Sequence, residues 1–147
     1  RPLPTLPDDE LASELRQSRA ATRATTFVYP GGAHDRRVVI ATRSLFAAAR
    51  TVQRGFERIP PRDAGRLSTF VATAKNFSVW KWNLRALGGV LMDRWLIETY
   101  HDVEPSIPGE EGARDAHIVP LHALEAHIRF LSKLPVRIAT IRDIIHA

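Results

Sequence analysis

The chain has 147 residues, contains no cysteine, and has 21 Lys and Arg residues against 16 Asp and Glu residues, for a formal net charge of +5. A chain of this length can bury about two thirds of its unfolded surface in one domain, and the lack of cysteine excludes disulfides and thiolate metal sites. No stretch reaches the ~18 consecutive apolar residues of a membrane span, and no signal peptide is visible.

The positive charge comes mainly from arginine, since only Lys75, Lys81 and Lys133 are lysines. Such an excess can attract an anionic partner, such as nucleic acid, teichoic acid or an acidic glycan. The arginines are spread over several predicted elements with acidic neighbours, and no basic strand is interleaved with aromatic residues. This distribution argues against a nucleic-acid partner and favours solvated faces.

The first predicted element is a helix that begins at Asp8 or Asp9 and continues to about Thr22. Leu11 and Leu15 recur on one face, and the alanine-rich composition supports a helix. The two adjacent aspartates are interpreted as an N-cap, because they precede a helical pattern rather than end an apolar strand.

The following elements alternate between strand and helix. A strand is predicted at 25–29, where it stops in a Pro-Gly-Gly turn at 30–32, and a short strand is predicted at 48–52. Between them, Asp35 is expected to cap a helix. Residues that recur at helical spacing indicate that helix: Val38, Ala41, Thr42 and Leu45. This order predicts parallel strands joined by crossover helices, so the expected fold class is α/β.

The middle of the chain is predicted to be irregular over 53–79, apart from a strand at 67–73. A helix over 81–92 follows and leads into a strand at 94–100. The helix is expected to bury a stripe of leucines: Leu84, Leu87 and Leu91.

Near the C-terminus, a polar loop rich in proline and glycine at 105–112 suits an active-site rim or a mobile surface loop equally. A helix is predicted from Pro120 to Lys133, because proline is tolerated in a first helical turn. Its expected buried stripe is Leu121, Leu124, Ile128 and Leu131. A final strand at 136–141 and a short helix over 141–146 are expected to close the fold.

Two strand ends contain the residues with the strongest functional signal. Segment 26–32 reads TFVYPGG, and segment 95–102 reads WLIETYHD. Each is a β-branched or aromatic strand that stops abruptly in turn residues or in polar side chains. Strands that end in this way present the active-site groups of α/β enzymes.

The two segments resemble the later motifs of the NodB-type polysaccharide deacetylases, carbohydrate esterase family 4, which end one strand in Phe-x-Tyr-Pro-Tyr-Gly and another in Leu-x-His-Asp. The resemblance implies the C-terminal portion of a distorted (β/α) barrel of the polysaccharide deacetylase type. In that family an Asp-Asp strand end and a His-x-x-x-His motif, which hold the metal, precede the Tyr-Pro segment, and this chain has neither. Residues 1–147 are therefore expected to form a partial NodB-like domain that begins just after the metal ligands.

The function implied by this resemblance is metal-dependent removal of N-acetyl groups from the amino sugars of a polysaccharide. The cofactor would be a divalent metal, zinc in the first place, bound by residues outside this segment, with none bound by the segment alone. The expected partners are the glycan or amino-sugar substrate and the remaining N-terminal part of the domain. Uncovered strand edges would favour a homo-oligomer, and the family resemblance implies a secreted or cell-envelope location.

Catalytic roles are implied for two residues. His101 aligns with the strand-end histidine that protonates the leaving amine, a role that suits an imidazole. The backbone N–H of Gly31 is the expected oxyanion donor, although many family members have tyrosine at this position. Val28 stands where many members have an arginine that tethers the catalytic carboxylate.

Substrate-binding roles are implied for residues at both strand ends. Tyr29 and Pro30 form the turn, and Thr99 replaces the leucine that lines the acetyl pocket in the family. Trp82 is a candidate pocket wall, and Arg50 would face the mouth of the barrel. Ordinary core packing and a structural ion pair are the alternative interpretations of the last two.

The remaining histidines do not predict a metal site. His122 and His127 are separated by roughly 140° on a helix, so they do not share a face. His117 adds no ligand motif, and His34 is interpreted as a surface residue. Two alternatives to a glycan deacetylase stay open: a deacetylase-like hydrolase of a small amide, and a catalytically silent glycan-binding or interaction module.

Overall fold

The computed structural model describes residues 1–73, 76–104 and 118–145 and has an α/β fold. The helices are α1 (Asp8–Thr22), α2 (Arg36–Arg43), α3 (Val79–Leu91), α4 (Leu121–Leu131) and α5 (Ile141–Ile145). The strands are β1 (Thr26–Val28), β2 (Ala48–Arg50), β3 (Phe70–Val71), β4 (Glu98–Thr99), β5 (Asp102–Glu104) and β6 (Ile118–Pro120). The chain divides into unit 1, Arg1–Thr69 with Ala139–Ala147, and unit 2, Phe70–Ile138.

Within the described residues, every pair of named strands is parallel. In unit 1, β1 pairs with β2, and Phe27 lies opposite Ala49. In unit 2, β3 pairs with β4 and β5 with β6. Parallel neighbours need a crossover connection, which α2 supplies between β1 and β2. The predicted α/β class and the predicted parallel pairing are confirmed.

Helix α1 has the predicted bounds, but its cap differs from the prediction. The N-cap residue is Pro7, so the interpretation of Asp8 and Asp9 as the cap is wrong. Both aspartates lie in the first helical turn, where carboxylates interact favourably with the helix dipole. Arg23 ends the helix in the left-handed region, at φ 53°.

Helix α2 begins as predicted. The side chain of Asp35 accepts a 2.8 Å hydrogen bond from the backbone N–H of Val38, which satisfies one of the donors left open at a helix start. Val38 and Thr42 are buried. The α2 face contributes to the apolar core of unit 1, which also contains Leu11, Leu15, Phe27, Tyr29 and Phe46. Burying side chains of this size contributes about 1.5–3 kcal/mol each.

The predicted strand at 67–73 is shorter in the structure. Strand β3 covers only Phe70–Val71. In unit 1, Leu67 donates a 2.8 Å hydrogen bond from its N–H to the carbonyl of Ala49, and its own carbonyl accepts one of 2.8 Å from Thr51. Leu67 therefore forms a single parallel bridge with Arg50, the last residue of β2.

The buried face of α3 differs from the predicted leucine stripe. Leu84 and Leu91 are 56% and 78% exposed, and Leu87 is also exposed. The residues that α3 buries are Trp82, Ala86 and Gly89. Helix α3 packs against α4, and small side chains at such a contact allow a close approach of the two helix backbones.

The predicted stripe of α4 is only partly correct. Leu121 and Ile128 are exposed, whereas Ala123 and His127 are buried. Leu124 is partly buried and packs on the apolar cluster of unit 2. A polar histidine thus occupies the inner face, because side chains from neighbouring elements supply its hydrogen bonds.

The C-terminal predictions are partly wrong. Residues 136–140 form no strand, although their sequence is largely apolar and β-branched. Ile138 is 80% exposed, so this residue does not contribute its side chain to a core. Helix α5 begins at Ile141, as predicted. The pair β5–β6 was not predicted, and the predicted loop at 105–112 and His117 lie outside the described residues. No helix in the described ranges is long and apolar enough to cross a membrane.

Candidate functional site

The first strand end is the turn that follows β1. A single 3₁₀ turn spans Pro30–Gly32. The N–H of Gly32 donates to the carbonyl of Tyr29 at 2.8 Å, and the N–H of Ala33 donates to the carbonyl of Pro30 at 3.2 Å. These two hydrogen bonds close the turn without using the N–H of Gly31, which lies at an exposed position.

The two glycines of the turn are required for different reasons. Gly31 has φ 60°, and a Cβ placed on it would meet nothing within 4 Å. Gly32 has φ 75°, and a Cβ placed on it would lie 2.3 Å from a methyl carbon of Val52. Positive φ favours glycine at both positions. Only at Gly32 does a neighbouring side chain, that of Val52, also leave no room for a Cβ.

Tyr29 anchors the turn to the body of unit 1. Its side chain is buried, and its hydroxyl donates a 2.8 Å hydrogen bond to the carbonyl of Gly65. Burial raises the pKa of the Tyr29 phenol, so the hydroxyl stays a donor. The ring is a fixed part of the core, and its predicted contact with substrate stays a prediction.

His34, interpreted from the sequence as a surface residue, is half-buried beside this turn. Its ring stacks on Tyr29 with centroids 4.8 Å apart. Its Nδ1 lies 2.8 Å from the carbonyl oxygen of Gly32, so Nδ1 carries the proton and donates. His34 follows the Pro-Gly-Gly turn by only two residues in the sequence. This closeness already indicated that the histidine could pack against the turn.

Arg50 lies at the same strand edge as the turn. It is the last residue of β2 and pairs with Val28, the last residue of β1. Its carbonyl accepts a 3.3 Å hydrogen bond from the N–H of Tyr29. Burial lowers the pKa of the half-buried Arg50 guanidinium. The structure therefore brings Tyr29, Pro30, Gly31 and Arg50 together at the C-terminal edge of a parallel pair, where α/β proteins bind ligands.

The second strand end lies in unit 2, after β4. Thr99 is buried, and its carbonyl accepts a 2.8 Å hydrogen bond from the N–H of Ala72. His101 follows at an exposed position, one residue before β5 begins. The side chains of Glu98 and Tyr100 meet on one side of this segment, and His101 follows at a bend.

Trp82 is fully buried in unit 2 rather than placed at a surface. Its ring lies 5.1 Å from that of Phe77 and 5.7 Å from that of Tyr100, between centroids. Its indole N–H has no hydrogen-bond partner among the described residues. A buried polar group without a partner is uncommon, and the proposed role of Trp82 as a pocket wall stays a prediction.

Sequence reasoning missed a polar cluster in unit 2. The imidazole of His127 lies between Asn83 on α3 and Glu98 on β4. Tyr100 donates a 2.8 Å hydrogen bond from its hydroxyl to Glu98. The signal in the sequence was a histidine on the inner face of a helix that otherwise buries small or apolar residues.

The described residues do not form a metal centre by themselves. His122 is exposed and His127 is buried, which confirms that they lie on different faces of α4. In the ranges that the structure describes, no group of three or more His, Cys, Asp or Glu side chains could hold a metal ion.

Comparison with known proteins gives no match among family models, curated proteins or solved structures. The resemblance to the deacetylases therefore rests on the two strand-end motifs, Tyr29 to Gly32 and Thr99 to Asp102.

Proposed function

We propose that this chain is part of a carbohydrate deacetylase, a hydrolase that cleaves the carbon–nitrogen bond of N-acetylated amino sugars in a polysaccharide. The observation that carries the proposal is the turn at Pro30–Gly32, which leaves the Gly31 N–H outside its own hydrogen bonds at the edge of a parallel pair. Parallel strand pairs are also what a distorted (β/α) barrel of the deacetylase type contains, and active sites of such barrels lie at this edge.

Gly31 would stabilise the charge that develops on the substrate. When water adds to the acetyl carbonyl and releases a proton to solvent, the oxygen of that carbonyl becomes an oxyanion. A backbone N–H held by a closed turn can donate to the oxyanion without reorganising first, and such a donor is worth about 10²–10³ in rate. Gly31 suits this role because its N–H is a backbone group, so the missing tyrosine side chain does not remove it.

His101 would protonate the leaving nitrogen. An amine anion is a poor leaving group, so the carbon–nitrogen bond breaks only as its electron pair is captured by a proton. The imidazolium of His101 gives that proton to the nitrogen, and the products are a free amine and acetate. Neutral imidazole then takes up a proton from solvent before the next turnover.

Two further residues would contact the substrate. Arg50, at the same edge as the turn, would bind an oxygen of the sugar or of the acetyl group. Thr99 would make the acetyl pocket smaller or more polar than the leucine of the family does. The proposal assigns the divalent metal, zinc in the first place, to residues outside this chain, and no described residue is given a role as its ligand.

The test is a comparison of His101→Ala with wild type in the complete protein on two substrates. On an N-acetylated sugar, kcat should fall by about 10² to 10⁴, the range for loss of a general acid. On an aryl acetate the loss should be much smaller, because the leaving group departs as a stable anion. His122→Ala, which changes an exposed histidine of α4, is the matched control and should behave like wild type.

Other results would point to the alternatives. Equal activity of His101→Ala and wild type on the amide would rule out His101 as the acid. Activity on small amides without activity on glycans would indicate the small-amide hydrolase. Glycan binding without any hydrolysis by the wild-type protein would indicate the silent binding module.

A further inference from the structure

A buried polar network surrounds His127 in unit 2. Nε2 of His127 lies 3.1 Å from each carboxylate oxygen of Glu98, and Nδ1 lies 2.8 Å from the side-chain oxygen of Asn83. The imidazole is fully buried. Nε2 faces the two carboxylate oxygens of Glu98, so it is assigned as the donor of this contact. One side chain thus joins α4, α3 and β4.

Tyr100 attaches the end of the β4 segment to this network. Its hydroxyl donates a 2.8 Å hydrogen bond to the same carboxylate of Glu98. Burial, and then the negative charge of Glu98, raise the pKa of Tyr100, so the phenol remains a donor at physiological pH. Glu98 therefore accepts from two side chains, and its orientation and that of Tyr100 depend on each other.

Aromatic rings enclose the network. The ring of Trp82 lies 6.0 Å from that of His127 and the ring of Phe77 lies 6.3 Å from it, both in edge-to-face arrangements. Such surroundings lower the local dielectric constant and strengthen each hydrogen bond. The network is consequently rigid as long as all of its members are present.

Stability alone is a weak reason for this arrangement. Buried polar groups lose solvation on folding, and apolar residues of similar volume often stabilise a protein as well or better. The network also fixes the position of the residues at the end of β4, because Glu98 and Tyr100 are both hydrogen-bonded within it. Because His101 directly follows Tyr100, whose hydroxyl is bonded to Glu98, the network fixes the backbone from which the His101 side chain projects.

We propose that Glu98, Tyr100, Asn83 and His127 are positioning residues for His101. They hold the backbone of residues 98–101 so that the imidazole of His101 reaches the leaving nitrogen of the substrate. This inference rests on the proposed function, in which His101 is the general acid. Misplacement of a catalytic group by about 1 Å can lower a rate by about 10²-fold, so a small movement of this strand end would be sufficient.

The first experiment is a double-mutant cycle between Tyr100→Phe and His101→Ala in the complete protein. Tyr100→Phe keeps the ring but removes the hydrogen bond to Glu98. Alone, it should lower kcat on the N-acetylated sugar by about 10- to 100-fold with little change in KM. In the His101→Ala background it should have no further effect, because there is no acid left to position.

Two controls separate positioning from general destabilisation. Ala86→Gly lies in the buried face of α3, outside the network, and should destabilise the protein by about 1 kcal/mol. His122→Gln changes an exposed residue of α4. Both should retain the kcat of wild type, and an equal loss of kcat in Ala86→Gly would show that the network acts through stability alone.

A second measurement does not depend on activity. The ring resonances of His101 in NMR spectra should shift in Tyr100→Phe and Glu98→Gln, and should stay unchanged in Ala86→Gly and His122→Gln. Unchanged His101 resonances in the network variants would overturn the positioning role, as would equal effects of Tyr100→Phe in the presence and absence of His101. If His101→Ala leaves amide hydrolysis unchanged, the proposed function fails, and the NMR result still decides whether the network positions His101.

Discussion

The hydroxyl of Tyr29 donates a 2.8 Å hydrogen bond to the carbonyl oxygen of Gly65, 36 residues later in the chain. This contact ties the turn after β1 to the 3₁₀ turn at Ala64–Arg66. Because Gly65 is itself next to Asp63 and Arg43, the position of the candidate oxyanion turn depends on residues far away in sequence.

Tyr29→Phe should destabilise the protein by about 1–3 kcal/mol, because it leaves the buried carbonyl of Gly65 without its partner. Urea unfolding at neutral pH measures the change. Ser44→Ala, which removes an exposed hydroxyl bonded to the carbonyl of Ala41, is the control and should stay within about 0.5 kcal/mol of wild type. A Tyr29→Phe variant as stable as wild type would show that the hydrogen bond does not hold the turn.

Asp63→Asn should reduce stability at neutral pH and have no effect in acid. Burial opposes ionisation of Asp63, but hydrogen bonds from Arg66, Arg43 and the Gly65 N–H outweigh it and lower the pKa of the carboxyl. A lowered folded-state pKa stabilises the protein above the unfolded-state pKa, and this stabilisation is lost as pH falls through the folded-state value.

The magnitude of the Asp63→Asn effect should be at most about 1 kcal/mol, since both arginine side chains are largely exposed. The free energy of unfolding of wild type and variant, measured by denaturant titration at a series of pH values, should converge in acid. A difference that is constant across all pH values would contradict an electrostatic origin.

Gly32→Ala should destabilise the protein much more than Gly31→Ala. Both residues have positive φ, which costs an alanine about 1–2 kcal/mol. The new methyl group at residue 32 would also collide with Val52 at 2.3 Å, whereas at residue 31 it meets nothing within 4 Å. Urea unfolding compares the two variants.

The pair Gly32→Ala and Val52→Ala tests the cause of this difference. The double variant should recover part of the stability that Gly32→Ala loses, because the shortened side chain relieves the collision. Gly31→Ala keeps its backbone N–H and should retain deacetylase activity if Gly31 is the oxyanion donor. No recovery in the double variant would assign the cost to backbone strain alone.

Trp82→Ala should cost about 3–5 kcal/mol of stability, because it removes a fully buried aromatic side chain. Leu91→Ala on the same helix should stay within about 0.5 kcal/mol of wild type, since Leu91 is 78% exposed. Thermal or urea unfolding of the two variants distinguishes the faces of α3. A larger cost for Leu91→Ala would support the leucine stripe that the sequence predicts.

Predictions from sequence succeeded where the structure depends on neighbouring residues. Asp35 caps α2 through a hydrogen bond to a residue only three positions later. The Pro-Gly-Gly turn ends β1 because of the backbone preferences of its own residues. Proline fixes its φ angle, and glycine adopts the positive φ that the turn needs. Helix α1 and the parallel pairing of β1 with β2 follow from similar local patterns, and all of them were predicted correctly within one or two residues.

Predictions failed where the outcome depends on which elements meet. The leucines of α3 have helical spacing, yet the helix buries Trp82, Ala86 and Gly89. The Trp82 ring packs against Phe77 and Tyr100, which lie outside the helix, and α3 also packs against α4. Periodicity identifies a helix but cannot choose between two apolar faces. The pairing of β5 with β6 joins segments separated by residues outside the described ranges, and no local pattern indicated it.

The sequence by itself determined the α/β class, the two strand ends and the residues proposed for catalysis, since these follow from short segments. Only the tertiary structure decided the partners of those residues. Glu98 and His127 lie 29 positions apart in the sequence, and their hydrogen bond exists only because the fold brings their side chains together. Side-chain partners of this kind depend on the packing of whole elements, which a pattern of neighbouring residues does not specify.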